Sequence, residues 1–147
     1  MTALGPSATP HQLSFPLPHT HNTTVHIHMT LTAHSLLLFL TTRTPETSSQ
    51  PAPLGSFIYA LPSRTSVQPL STAIYVREQT LETATRIGKI LAKRLALPVY
   101  VGNSMSFSAA GGGGMVEEEM EGVRRVVECV MEIAGREKQQ KEAEGEK

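Results

Sequence analysis

The residues best suited to chemistry are the histidines between His19 and His34. This stretch, HTHNTTVHIHMTLTAH, holds five of the six histidines in the chain, and four of them form two His-x-His pairs. Histidine is the commonest metal ligand in proteins and titrates near neutral pH. On a strand, His26 and His28 would point to the same face, roughly 7 Å apart. A metal site or a catalytic base is therefore the first hypothesis.

Further metal ligands are scarce in this sequence. The chain contains no aspartate, and its single cysteine, Cys129, belongs to a helical pattern far from the histidines. Zinc needs three protein ligands even in an open catalytic site. We therefore predict no metal and no cofactor. A metal-binding protein or small metalloenzyme built on the His-x-His pairs is kept as the alternative.

Groups for acid–base or nucleophilic catalysis are equally sparse. Glu46 is the only carboxylate before residue 78, whereas a catalytic triad needs a base that is oriented by a third group, commonly a carboxylate. The segment GNSMS lacks the closing glycine of a G-x-S-x-G elbow. The glycine run at 111–114 lacks the Lys-Ser/Thr ending of a phosphate-binding loop. We predict that the protein is not an enzyme.

Composition narrows the class of protein further. The length of 147 residues predicts one domain, and a formal net charge of zero gives no bulk attraction to nucleic acid or membrane. One cysteine excludes an internal disulfide and favours a reducing environment. The longest apolar run, LLLFL, is too short to span a bilayer, and the N-terminal residues lack a signal-peptide pattern. We expect a cytoplasmic protein that also enters the nucleus.

The positions of the apolar residues predict which elements hold these side chains. Apolar and polar residues alternate over 25–32, which is typical of a half-buried strand. The run LLLFLTT follows after a short break and predicts the second strand of an antiparallel hairpin. SFIYAL at 56–61 and LSTAIYV at 70–76 read as two more strands, and PVYVGN as a fifth. SMSFS either extends the fifth strand or adds a sixth.

Two helices complete the prediction. Apolar residues recur at helical spacing over 80–96, with Thr80 as the N-cap, and again over 115–135, where Gly135 ends the helix. The fold class is α+β, with order β-β-β-β-α-β(β)-α and a mainly antiparallel sheet of five or six strands. Both amphipathic helices are expected on one face.

The same patterns predict the organisation of the chain. Residues 1–22 are interpreted as a flexible N-terminal segment because they are rich in Pro, Ser, Thr and His. Residues 23–135 form a single α+β domain, with flexible loops at 42–55 and 109–114. Residues 136–147 form a polar C-terminal tail.

The predicted sheet has more apolar surface than the helices can cover. The second, third and fourth strands are apolar on both faces, and two helices cover only one face. An uncovered apolar face usually marks an interface, most simply with another sheet packed face to face. Alternatively, the Pro-rich loops fold over it. The candidate partner-binding residues on the strands are His26, His28, Leu37, Phe39, Ile58, Tyr59, Ile74 and Tyr75.

A basic stripe on the first helix is the second candidate surface. It consists of Arg86, Lys89 and Lys93, with Arg94 nearby. Such a stripe is typical of a solvated helix face, and it also suits docking on an acidic protein surface. Too few aromatic residues accompany it for nucleic-acid binding.

The order of three segments resembles one known family. VHIHMTLTAHSLLLFL resembles the opening hairpin of the proteasome assembly chaperone 4 family, and STAIYVREQTLETATRIGKILAKRLALPVYVGNSM is similar to its strand-helix-strand unit. EEEMEGVRR is similar to its last helix, so the resemblance covers roughly residues 24–135. The long loop at 42–55 and the glycine-rich insert depart from the family pattern.

The resemblance implies a non-catalytic chaperone. Members of this family pair with proteasome assembly chaperone 3, and the heterodimer binds a 20S alpha subunit and promotes alpha-ring assembly. Neither nucleic acid nor membrane is an expected partner. A homodimeric scaffold module remains the second alternative.

Overall fold

Six strands and two helices make up the described part of the chain, in a computed structural model that describes residues 9–20, 22–107 and 115–145. The elements are, in chain order, β1 (His11–Pro16), β2 (Thr24–Leu31), β3 (Leu36–Arg43), β4 (Ser56–Leu61), β5 (Leu70–Tyr75), α1 (Glu78–Leu95), β6 (Val99–Asn103) and α2 (Met115–Gly145). The fold is α+β, as the patterns predict.

The six strands form one mixed sheet in the order β1-β2-β3-β6-β4-β5. β2 and β3 pair as an antiparallel hairpin, which confirms the predicted connection. The only parallel pair in the described sheet is β3 with β6, because α1 returns the chain to a position between β3 and β4. The prediction of a mainly antiparallel sheet of five or six strands is confirmed.

One face of the sheet lies under both helices. Alternate side chains of the central strands point to this face and are almost completely buried, among them Ile27, Leu38 and Val101. They pack with residues of both helices in one core. Gly88 lets α1 approach closely, since a Cβ there would lie 2.5 Å from the Ile58 Cδ1. The two helices therefore cover a single face, as expected.

The first strand is a difference from the sequence prediction. Residues 11–16, interpreted as part of a flexible segment, instead form β1 and pair antiparallel with β2. Phe15 is buried and Leu13 packs against the core. Proline residues flank and end this short alternation, and Pro16 is tolerated because it ends an edge strand. The sixth strand comes from here, since residues 104–107 form no strand.

Both helix boundaries differ in detail from the prediction. Thr80 is not the N-cap of α1. That position belongs to Arg77, and the Thr80 hydroxyl donates to the Arg77 carbonyl. α2 runs through Gly135 to Gly145, so Gly135 does not end it. Residues 136–145, predicted as a polar tail, are the last turns of α2. Residues 108–114, which include the predicted glycine-rich loop, and 146–147 lie outside the described residues.

A side-chain contact ties the extension of α2 to the rest of the domain. Glu137 Oε1 lies 2.6 Å from His11 Nε2, which joins α2 to the edge strand β1. Arg136 also pairs with Glu132 one turn earlier. These contacts and the high helix propensity of the following Glu, Lys, Gln and Ala residues carry the helix past Gly135.

Candidate functional site

The face of the sheet opposite the helices, here called the open face, carries a continuous row of aromatic side chains. Phe39 and Phe57 stack with ring centroids 6.1 Å apart and planes 9° apart. Phe57 stacks with Tyr100 at 6.1 Å, and Tyr100 contacts Tyr59 at 4.7 Å. These four residues form the aromatic row. All of them are only half-buried, so a broad apolar surface faces outward.

The row depends on a glycine in the middle of the sheet. Gly102 pairs with Phe39 on one side and with Phe57 on the other. A Cβ at Gly102 would lie 2.6 Å from the Phe39 Cδ1 and 2.9 Å from the Leu54 Cδ1. The missing side chain therefore lets two rings from strands that are not neighbours meet across β6.

Part of the proline-rich loop covers one end of the open face. Leu54 lies against Gly102, and residues 52–54 line a cleft of about 450 Å³ together with Phe39 and His26. The alternative in which the loop folds over the face therefore holds at this end. The aromatic row is left half-buried, so an apolar surface remains accessible beside the covered end.

The two histidines of β2 lie on the open face. His26 pairs with Thr41 and His28 with Phe39 in the register of the hairpin. His28 also makes an edge-on contact with the Phe39 ring, with centroids 6.4 Å apart. In the described ranges no three His, Cys, Asp or Glu side chains converge as metal ligands, and His21 lies outside those ranges.

The other six predicted site residues of the sheet fall into three groups. Leu37, Phe39 and Tyr59 are half-buried on the open face. Ile58 is fully buried in the core under α1, so its assignment to the outer surface is wrong. Alternation separates two sets of side chains, but it does not say which set the helices cover. Ile74 and Tyr75 lie on the edge strand β5.

The edge strand β5 is unusually exposed. Every residue of β5 is exposed, and Ile74 and Tyr75 are 56% and 54% accessible. A register shift between Phe57 and Ile58 interrupts the pairing, and it places Tyr75 opposite Phe57. Tyr75 is therefore adjacent to the aromatic row, whereas Ile74 does not follow the simple alternation that the sequence predicts.

The structure divides the basic stripe of α1. Arg86 and Arg94 line a groove between α1 and α2, whereas Lys89 and Lys93 do not border it. Arg86 pairs with Glu82 one turn earlier on α1, with the Nη2 and Oε1 atoms 3.0 Å apart. The stripe is therefore divided into two arginines that border the groove beside α2 and two lysines that lie outside it.

The sequence of the central strands and α1 matches a known protein family. Residues 24–105, more than half of the chain, match the family model described as proteasome assembly chaperone 4. The chain belongs to the proteasome assembly chaperone 4 family. The matched segment runs from β2 past β6, so it contains all four residues of the aromatic row.

A solved structure shows the same architecture. The chain is similar to a chain in the crystal structure of a novel chaperone complex for yeast 20S proteasome assembly, with a TM-score of 0.60 and 16% sequence identity. The match covers 84% of this chain and 95% of the yeast chain. At this identity the likeness concerns the fold. No curated protein matches the chain in sequence. Among the helices of the described ranges, none is long and apolar enough to cross a membrane.

Two residues of the aromatic row, Phe57 and Tyr100, are not among the site residues that the sequence predicts. Phe57 lies two residues before Tyr59 on β4, so the alternation of a strand places both side chains on the same face. Tyr100 gives no comparable signal, because its neighbours in space come from β3 and β4. Only the observed strand order brings Tyr100 into the aromatic row.

A buried carboxylate, that of Glu118, holds the turn that precedes β2. Glu118 in the first turn of α2 is completely buried. Its Oε1 accepts hydrogen bonds from the backbone N–H groups of His19 at 3.0 Å and Thr20 at 3.2 Å. It thereby ties the β1–β2 connection to α2.

Replacing Glu118 with alanine is expected to destabilise the protein by about 2–4 kcal/mol, because two backbone N–H groups lose their charged acceptor. Urea unfolding followed by circular dichroism measures the change. Glu117→Ala, at an exposed position in the same turn, is the matched control and should change stability by less than about 0.5 kcal/mol. Equal unfolding midpoints for the two variants would contradict this role of Glu118.

The single thiol of the chain is expected to react slowly. Burial raises the pKa of the Cys129 thiol above its usual range, and the nearby Arg125 opposes this shift. Since the thiolate is the reactive form, iodoacetamide at pH 7.5 should alkylate the folded protein more slowly than N-acetylcysteine. Mass spectrometry follows the reaction, and the protein in urea is the control. A folded-state rate equal to that of N-acetylcysteine would refute the prediction.

Proposed function

We propose that the protein is a non-catalytic assembly chaperone of the 20S proteasome that acts as one half of a heterodimer with proteasome assembly chaperone 3. The observation that carries this proposal is the aromatic row, which the described part of the proline-rich loop covers only at its Phe39 end. Membership of the chaperone family and the likeness to a chain from a yeast 20S assembly complex support it.

The composition of the sheet fits a dry interface. Arg43, at the end of β3, is the only Lys, Arg, Asp or Glu residue in the six strands. A partner sheet can therefore approach the open face without desolvating charged side chains. Buried aromatic residues at the centre of an interface commonly supply most of the binding energy. We assign the contact with chaperone 3 to the aromatic row together with Leu37 and the polar His26 and His28.

The second part of the proposal concerns the proteasome. The heterodimer binds a 20S alpha subunit, promotes formation of the alpha ring and leaves as the core particle matures. The proposed locations are the cytoplasm and the nucleus, in keeping with a chain that has one cysteine.

Co-expression with chaperone 3 tests the first part of the proposal. Size exclusion with light scattering should show one peak with the mass of a 1:1 complex. Two separate monomer peaks would contradict the proposed heterodimer. The same open face also suits a second copy of this chain, so the protein alone is measured as well. A stable homodimer that chaperone 3 does not dissociate would favour the scaffold alternative.

A further inference from the structure

The groove between α1 and α2 lies on the helix side of the domain, away from the open face. It has a volume of about 370 Å³ and a floor formed by Ile90, Val123 and Val127. Met120 lies on its wall and is 61% exposed, and Val116, one turn earlier on α2, is 64% exposed. These two residues continue the apolar stripe of α2, but α1 does not cover them.

The charges around the groove are asymmetric. On the α2 wall, Arg124 pairs with Glu121 and Glu128, so its charge is neutralised locally. On the α1 wall, Arg94 forms no ion pair with any residue that the structure describes. Its neighbour Arg86 holds only the exposed Glu82, a type of pair that contributes little and exchanges readily. The α1 wall therefore presents available positive charge beside an apolar floor.

We propose that this groove binds an amphipathic helical segment of a partner, whose apolar side chains contact Ile90 and Met120 and whose carboxylates meet Arg94 and Arg86. Guanidinium groups bind carboxylates with two parallel hydrogen bonds, and a helix laid between two helices is a common recognition mode. The occupant is acidic because the unneutralised charge of the groove is positive.

The source of the segment follows from the proposed function, on which this step rests. The open face and the groove lie on opposite sides of the sheet, so chaperone 3 and a second protein can bind at the same time. We assign the groove to the proteasome alpha subunit. The two binding surfaces are then separable by mutation, which a single shared interface would not allow.

Substitutions in the groove test this assignment in the purified heterodimer with chaperone 3. Each recombinant alpha subunit is immobilised in turn, and affinities are measured by biolayer interferometry. Arg94→Glu and Met120→Glu should each weaken binding at least about tenfold. Lys93→Glu makes the same charge change beside Arg94 but outside the groove, and it should stay within about twofold of the unmodified protein.

The outcomes distinguish an error in the groove assignment from an error in the proposed function. Failure of every alpha subunit to bind the unmodified heterodimer would overturn the proposed function and the groove with it. Binding that Arg94→Glu and Met120→Glu leave unchanged, or that Lys93→Glu weakens equally, would overturn the groove alone. Circular dichroism and retained pairing with chaperone 3 verify that each variant is folded.

A photo-cross-linker at position 120 identifies the occupant. Benzoylphenylalanine in place of Met120 is expected to link to a helical segment of the alpha subunit. This segment should have apolar residues on one face and Asp or Glu residues beside them. A product within this chain, with chaperone 3, or with a basic or extended segment would contradict the inference.

Discussion

Replacing both Phe39 and Tyr59 with glutamate is expected to abolish pairing with chaperone 3 while the protein itself remains folded. Both rings belong to the aromatic row and are half-buried on the open face. In the complex each glutamate would be a buried charge without a partner, which is strongly unfavourable. Truncation of central aromatic residues in interfaces alone costs about 2–4 kcal/mol each, so affinity should fall by at least about a thousandfold.

The fold should survive the double substitution because the core lies on the other side of the sheet. Leu38 and Ile58, the sequence neighbours of the two rings, are fully buried under the helices, and neither is altered. Lost ring contacts within the row should reduce stability by about 1–3 kcal/mol, which is less than the total stability of a typical domain. Urea unfolding of the variant alone verifies this.

Isothermal titration with chaperone 3 measures the loss of affinity. Val116→Glu is the control, since it places a glutamate on an exposed apolar residue on the helix side and should leave pairing unchanged. A double variant that still forms a 1:1 complex with chaperone 3 would show that the open face is not the interface. Reduced pairing of Val116→Glu would show that charge alone, rather than position, weakens the complex.

The elements that the sequence predicts well are those with a strong local period. The alternation of β2 and the helical spacing of α1 depend on residues close together in the chain, so the hairpin and the helix can be inferred directly. β1 has the same alternation, but prolines flank and end it. Its stability comes from pairing with β2 and from burial of Phe15, which are tertiary contacts that no local pattern contains.

The residues of the candidate site follow less directly from the sequence. Alternation places Phe39 and Leu37 together on one face, but the choice between Ile58 and Tyr59 requires knowing where the helices lie. The stack of Phe39 on Phe57 also requires knowing the strand order. β6 has to lie between β3 and β4, with Gly102 paired with both Phe39 and Phe57. That register depends on the whole topology, so the aromatic row emerges only from the folded structure.

Among the glycines that the structure describes, Gly55 is the one where an added methyl group should cost the most stability. Its φ angle is +73°, in the left-handed region that costs other residues roughly 1–2 kcal/mol. A Cβ there would also lie 1.9 Å from the Asn103 carbonyl oxygen and 2.7 Å from the Ser104 Cα. Both neighbours are backbone atoms, so no side-chain rotation relieves the overlap.

The backbone that would have to move is a junction of three elements. Ser56 pairs with Asn103 where β4 begins and β6 ends. The Ser56 hydroxyl donates to the Arg77 carbonyl at 2.8 Å and accepts from the Arg77 N–H at 2.9 Å. The Asn103 side chain donates to the Thr80 carbonyl at 3.2 Å. Displacement at Gly55 therefore disturbs the start of α1 as well as the sheet.

Gly55→Ala is accordingly expected to destabilise the protein by about 3–5 kcal/mol, in the range that strain and backbone displacement produce together. Gly135→Ala is the matched control, since a Cβ there meets nothing within 4 Å and should stabilise α2 by about 0.5–1 kcal/mol. Urea unfolding compares the two variants. A loss below about 1 kcal/mol for Gly55→Ala would show that the loop does not approach β6 so closely. Leu54 would then not be held against Gly102, and the open face would lose its covered end.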